Sequence, residues 1–312
     1  MFNISIIGYG YWGKKLARNF QNSSYFDILS IVDKKKSNLV SAKKNLSNVE
    51  CFSNYKNAIK NDLLDLVIVS TPTSTHYDIA KFALENSKHI LVEKPLSLSL
   101  KQVDKLNEIA KSKKRMIFVD YPFLFSGTIN YIKKVINQNK FGKILEIESF
   151  REQAPVRNDT NVVWDLTTHD ISILTYLLRK EPKSIQTIKK ENIKKGLCDN
   201  IYVNLKYEQN LNVLIKNSWI SPTKIRLLKV KFNKATIYCD ENESLYKIKI
   251  YKKRDKKGWS DYSLEIPEID LAEPLSKMTT YIYSSLKKNK NFLFEKDFNK
   301  KITMTLEKIN SN

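Results

Sequence analysis

The chain has 312 residues, 42% of them apolar, and a formal charge of 54 − 33 = +21. That length suits two domains with real cores, and no apolar run approaches the about 18 residues that suggest a membrane span. So large a positive charge ordinarily suggests nucleic acid, but it is nearly all lysine spread along the chain; arginine, the bidentate reader of phosphates and bases, is scarce, so a solvated surface with mild attraction to anionic substrates is the reading and nucleic-acid binding is set aside.

Phe2 to Ile7 is a short apolar run that ends at Gly8-Tyr9-Gly10-Tyr11-Trp12-Gly13. A helical segment to Phe20 follows, and a second apolar run, Ile28 to Val32, ends at Asp33, 20 residues past Gly13. Strand, G-x-G-x-x-G, helix, strand and acid together form a dinucleotide fingerprint. Gly8 permits the tight turn, Gly10 lets the backbone approach a pyrophosphate, and Gly13 lets helix and strand pack closely. Amides at the helix start favour the phosphates. Asp33 suits a free ribose 2′-OH and repels a 2′-phosphate, which favours NAD over NADP. Lys34, Lys35 and Lys36 follow at once and soften that repulsion.

Further strands are predicted at 65–70, 88–92 and 115–119, with a short one near 49–52. Helices are predicted at 13–21, 36–45, 54–61, 75–86 and 99–112. The alternation argues a doubly wound parallel sheet over residues 1–121. In such sheets the ligand crosses the carboxyl ends of the strands. There Thr71-Pro72 pins the backbone, as a loop near a cofactor requires or a plain strand-to-helix turn capped by Ser74 explains equally well. Glu93-Lys94-Pro95 closes the strand that starts at His89. Lys94 is thus a candidate proton-transfer group, against the alternative that it snorkels to solvent or pairs with Glu93.

After Tyr121-Pro122 the pattern changes. A helix at 127–138 leads to a strand at 143–152 and a helix at 165–179. Strand-like runs follow at 183–190, 200–207, 210–218, 225–232, 235–239 and 245–251, then helices near 273–288 and 297–309. Short polar turns between successive strands predict a mostly antiparallel sheet, hence an α+β second domain over 122–312. Lys252 to Gly258 reads as a charged turn. Asp165 and His169 are four apart and predicted to share a helix face. A neutral imidazole can take or give a proton, and a carboxylate one turn away can orient a hydroxyl. The competing reading is a dipole-stabilised Asp and a structural His. Asp170 reads as structural, and neither His76 nor His89 reads as a proton-transfer group. Arg151, Arg157 and Trp164 flank the segment as weaker substrate contacts. Cys51, Cys198 and Cys239 have no C-x-x-C spacing and read as reduced thiols; no metal site is expected. The fingerprint starts at residue 2, so no leader is expected and the location is read as cytoplasmic.

These residues resemble the glucose–fructose oxidoreductase/inositol dehydrogenase/MocA (Gfo/Idh/MocA) family along nearly the whole chain. The marks are the Gly8-to-Gly13 loop, Thr71-Pro72 with His76, Glu93-Lys94-Pro95, and Asp165 with His169. Asn161 to Asp170 is similar to a subgroup linked to surface-polysaccharide and nucleotide-sugar synthesis. The resemblance implies a Rossmann domain, then an α+β domain whose open sheet face carries a dimer or tetramer interface. It implies cofactor contacts from Gly8, Tyr9, Gly10, Tyr11, Trp12, Gly13, Asp33, Thr71, Pro72, His76, Glu93, Lys94 and Pro95. It places Lys94 near the nicotinamide and the reacting carbon, and makes His169, with Asp165, the general acid/base. One departure stands at Tyr121-Pro122-Phe123: many members show an arginine a few residues on, where this chain has Phe125.

The expectation is an NAD-dependent oxidoreductase that moves a hydride at a sugar ring carbon, with a nucleotide sugar as substrate. A free polyol or inositol dehydrogenase is the alternative on the same fold. A non-catalytic NAD(H)- or sugar-binding protein is the alternative of another class.

Overall fold

The computed structural model describes residues 1–46, 48–254, 261–291, 293 and 297–312. They form two compact units, Met1–Pro122 with Glu273–Thr303, and Phe123–Ala272 with Met304–Asn312.

The first unit alternates strand and helix: β1 (Phe2–Ile7), α1 (Tyr11–Gln21), β2 (Phe26–Val32), α2 (Lys36–Asn45), β3 (Glu50–Phe52), α3 (Tyr55–Ile59), β4 (Leu66–Val69), α4 (His76–Glu85), β5 (His89–Glu93), α5 (Leu100–Ser112) and β6 (Ile117–Asp120). The strands pair in parallel in the order β3-β2-β1-β4-β5-β6. Strand order reverses between β1 and β4, the switch point where such sheets take ligands. β4 is a continuous β-branched and leucine run, every residue buried, as a strand covered on both faces must be. Helix α8 (Pro274–Lys288) also lies in this unit, where its Tyr283 ring stacks on Tyr25 with centroids 4.0 Å apart.

The second unit holds α6 (Gly127–Asn137), β7 (Ile144–Glu152), α7 (Thr168–Leu178), β8 (Ser184–Lys190), β9 (Asn200–Lys206), β10 (Asn212–Ser218), β11 (Ile225–Phe232), β12 (Ala235–Asp240), β13 (Ile248–Lys253) and β14 (Tyr262–Glu265). α9 (Phe298–Ser311) closes the chain, its last turns belonging to this unit. The sheet order is β14-β13-β12-β11-β7-β10-β9-β8. All neighbours are antiparallel except β7 and β10. One face is buried through alternate residues such as Val213, Ile215, Ile201 and Val203. The other leaves Ile188, Tyr202 and Leu214 exposed.

The fold expected from the sequence is the one observed. β14 was not foreseen, because Tyr-Ser-Leu-Glu is too short to show a period on its own. Lys252 and Lys253 extend β13 rather than opening a turn, and 255–258 lie outside the described residues. No helix among the described residues is long and apolar enough to cross a membrane.

Candidate active site

In the first unit the glycine loop is built by contact. Gly8 has φ +96°, and a Cβ there would lie 2.2 Å from the Ser70 carbonyl oxygen at the end of β4. A Cβ on Gly13 would lie 1.9 Å from the Gly8 carbonyl oxygen, so α1 rests directly on the turn. Gly10 differs: a Cβ there meets nothing within 4 Å. Its side faces open space, and α1 starts there with no side-chain cap. Uncapped amides beside an open approach form an anion-binding helix start. A cavity of about 510 Å³, lined by Gly8, Gly10, Asp33, Thr71 and Pro72 among others, adjoins it. These residues fit a dinucleotide.

Asp33 sits at the rim. One of its carboxylate oxygens accepts from the Tyr9 amide at 2.8 Å and from Asn38 Nδ2 at 2.9 Å, and the other accepts from the Lys35 amide at 2.8 Å. A carboxylate has about four lone-pair sites, so one remains for a ribose hydroxyl. Lys34 and Lys35 line the same cavity.

The ends of β4 and β5 are tied together by a buried histidine. His76 Nδ1 lies 2.8 Å from the Pro95 carbonyl oxygen and Nε2 lies 2.9 Å from the Thr71 carbonyl oxygen. One imidazole thereby fixes both the Thr71-Pro72 and the Lys94-Pro95 loops, a role that needs no proton transfer. The Lys94-Pro95 peptide is cis. Lys94 is 9% exposed at this sheet edge. Glu93 lies opposite Asp120 in the β5–β6 register. Burial, then the Asp120 charge, holds the Glu93 carboxyl well above the usual carboxylate range, and Lys94 opposes that shift.

In the second unit the segment before α7 is a wide π-type turn, Val163–Thr167. Asn161 caps it, its Oδ1 accepting from the Val163 and Trp164 amides at 3.1 and 3.2 Å. Asp165 lies in this turn, so it is not on the regular α-helical face predicted for it. Such turns are frequent at functional sites. Trp219 Nε1 donates to Asp165 Oδ2 at 3.0 Å, and Arg157 Nη1 lies 3.5 Å from Oδ1. His169, in the first turn of α7, is half-buried, and its ring meets the Phe123 ring edge-on at 5.1 Å.

The other substrate candidates divide. Arg157 is half-exposed and bridges Asp159 and Asp165. Trp164 is buried at 7% exposure. Arg151 is buried too, donating to Asp170 at 2.8 Å beneath the Phe123 ring. Asp170 further accepts from Ser149 at 2.6 Å and Asn217 at 2.8 Å, a network that holds α7 on the sheet. No cluster of His, Cys, Asp and Glu suited to a metal occurs among the described residues.

Residues 2–121 match the oxidoreductase family with an NAD-binding Rossmann fold, and residues 129–242 match the GFO/IDH/MocA C-terminal domain. The chain belongs to the Gfo/Idh/MocA oxidoreductase family. Myo-inositol 2-dehydrogenase of Thermotoga maritima is 26% identical over 227 residues, 69% of this chain and 68% of that protein. UDP-N-acetylglucosamine 3-dehydrogenase of Acidithiobacillus ferrooxidans is 29% identical over 127 residues, 40% of this chain and 39% of that protein. Its solved structure shares the fold at a TM-score of 0.85 and 17% identity, over 99% of this chain and 96% of its own. Levoglucosan dehydrogenase, solved in complex with NADH, shares it at 0.86 and 14% identity, over 99% and 96%.

Within this Gfo/Idh/MocA chain, sequence reasoning passed over three residues beside the candidate groups. Asp120, fully buried, accepts from Trp12 Nε1 at 2.6 Å. Phe123 meets the His169 ring edge-on and packs its face against the Arg151 guanidinium. Trp219 holds Asp165. Asp120 carried a signal, a carboxylate ending an apolar strand; the two aromatics carried none beyond ordinary core composition.

Proposed function

We propose that the protein is an NAD-dependent dehydrogenase or reductase of a sugar ring hydroxyl, with a nucleotide sugar as substrate, serving surface-polysaccharide synthesis in the cytoplasm. The observation that carries the cofactor half is the open side of Gly10 beside the Asp33 carboxylate. NAD over NADP follows from Asp33, whose charge repels a 2′-phosphate. Bound NAD supplies the hydride acceptor or donor. Gly8 and Gly13 shape the loop and Gly10 admits the pyrophosphate, with Tyr9, Tyr11 and Trp12 beside it. Thr71, Pro72, Glu93 and Pro95 shape the nicotinamide end, and His76 fixes their loops.

His169 takes the proton of the substrate hydroxyl on a ring nitrogen during oxidation and returns it during reduction. Asp165, held by Trp219, biases that imidazole or orients a neighbouring hydroxyl. Lys94 supports the charge that develops on the reacting oxygen. Arg157 is the substrate contact favoured by its exposure; Arg151 and Trp164 act through packing. The open face of the second sheet, with Ile188, Tyr202 and Leu214 exposed, supports a homodimer or homotetramer.

The nucleotide-sugar reading draws support from the Acidithiobacillus ferrooxidans relative and from the Asn161–Asp170 segment. A free-polyol reading is favoured instead by the Thermotoga maritima relative, whose sequence match is longer. NADH formation from NAD⁺ with UDP-N-acetylglucosamine and related nucleotide sugars, against myo-inositol, scyllo-inositol and free sugars, separates them. A higher kcat/KM with a nucleotide sugar supports the proposal. Turnover of free polyols alone replaces it with the second reading, and NADH binding with no turnover replaces both with a non-catalytic role.

A further inference from the structure

Asp120, fully buried, and Glu93, half-buried with its Oε1 enclosed, lie at the sheet edge that carries Lys94, and the hydride-transfer reading gives their carboxyl charges no task. Glu93 ends β5, Asp120 ends β6, and the two are register partners on adjacent parallel strands. Two ionised carboxyls side by side repel, and a proton on one lets it donate to the other. The remaining contacts agree. Asp120 Oδ2 accepts from the Trp12 indole at 2.6 Å, and Glu93 Oε2 accepts from the Lys94 amide at 3.2 Å. Glu93 Oε1 and Asp120 Oδ1 are buried with no donor among the described residues. One shared proton satisfies both; none leaves two like charges in a dry site. Besides each other, the charge acting on both carboxyls is that of Lys94.

We propose that Glu93 and Asp120 form an acid pair with one shared proton and one net negative charge, and that this pair is the positioning element and counter-charge of Lys94. Trp12 belongs to the arrangement, because its indole clamps Asp120 from the first turn of α1. The same contact therefore links the glycine loop to the sheet edge that carries Lys94. Lys94 acts as a fixed cation at the reacting oxygen, and His169 alone exchanges the hydroxyl proton. This inference rests on the proposed hydride-transfer function for its kinetic consequences, but the shared proton is a property of the chain itself.

The test uses the whole protein and two isosteric variants. Asp120→Asn still accepts from Trp12 and donates to an ionised Glu93, so one negative charge survives without a shared proton. Glu93→Gln with Asp120→Asn removes the charge and keeps the shape. The infrared carbonyl band of a protonated carboxyl is expected in the wild type at neutral pH and is expected to vanish in Asp120→Asn. Its absence from the wild type overturns the shared proton whether or not any substrate is turned over. Kinetically, kcat is expected to fall by at least about tenfold in the double variant, at little changed KM, and by less than about threefold in Asp120→Asn. Wild-type kcat in the double variant, or equal losses in both, reduces the pair to packing and overturns its role toward Lys94. A wild type that binds NADH and turns over no substrate overturns the proposed function, while the infrared result still decides the pair.

Discussion

Alanine at Gly10 and at Gly13 separates dinucleotide binding from the folding of the loop that binds it. Gly13→Ala drives a Cβ to 1.9 Å from the Gly8 carbonyl oxygen, and backbone cannot swing aside as a side chain can. Overpacking of this kind costs about 1–3 kcal/mol, sometimes more. At about 2–4 °C per kcal/mol for a unit of this size, the upper end is a Tm loss of about 6–12 °C. Gly10→Ala meets no atom within 4 Å, and its φ of −76° suits any residue. The expected folding penalty is under about 1 kcal/mol, from the weaker cap. Its methyl group nevertheless occupies the approach proposed for the pyrophosphate. A rise of at least about tenfold in the Kd for NADH is expected, equivalent to about 1.4 kcal/mol. Thermal melts and a fluorescence titration of NADH measure both quantities on the same samples. Wild-type affinity in Gly10→Ala would refute the placement of the pyrophosphate. A wild-type Tm in Gly13→Ala would refute the packing argument.

Asp33→Asn removes the charge that repels a 2′-phosphate beside Lys34 and Lys35, so the NADPH-to-NADH ratio of kcat/KM is expected to rise about tenfold, about 1.4 kcal/mol; an unchanged ratio means that Asp33 does not set the preference. His89 concerns stability: burial first, then the Arg115 charge, lowers its pKa from 6.5 to about 4, while its Nδ1 accepts from the Met116 amide at 3.0 Å. Its folded pKa lies below the unfolded one, so the unfolded chain binds the proton more readily and stability is lost as pH falls from 6.5 to about 4. The loss approaches about 3 kcal/mol at most; urea midpoints in that window should vary less with pH in His89→Gln, and an identical pH dependence contradicts the assignment. Leu214→Glu on the open sheet face is expected to lower the molar mass seen by light scattering to that of one chain, and an unchanged assembly moves the interface elsewhere.

The first unit was legible because its signals are local. Gly8 to Gly13 and Asp33 act within one β-α-β unit, and β4 and β5 are apolar runs cut off at Ser70 and Glu93. The local backbone at Asp165 was not legible, because nothing in the sequence marks the π-type turn that carries it. Residues 273–303 show the same limit. An apolar stripe announces that α8 packs, and does not say that it packs against α1. Likewise the alternation in β7 places Arg151 on the buried face, but its partner Asp170 is 19 residues away and emerges only once α7 lies on the sheet. Long-range pairing, not local propensity, decided each of these.

Turnover in His169→Ala tests the central claim most directly. NADH binding and NADH formation with the preferred substrate are measured on the same preparation. NADH affinity is expected to stay within about twofold, since His169 is assigned to the substrate, while kcat falls by at least about a hundredfold, the usual range for a lost general base. A variant that binds NADH and turns over at the wild-type rate contradicts the account.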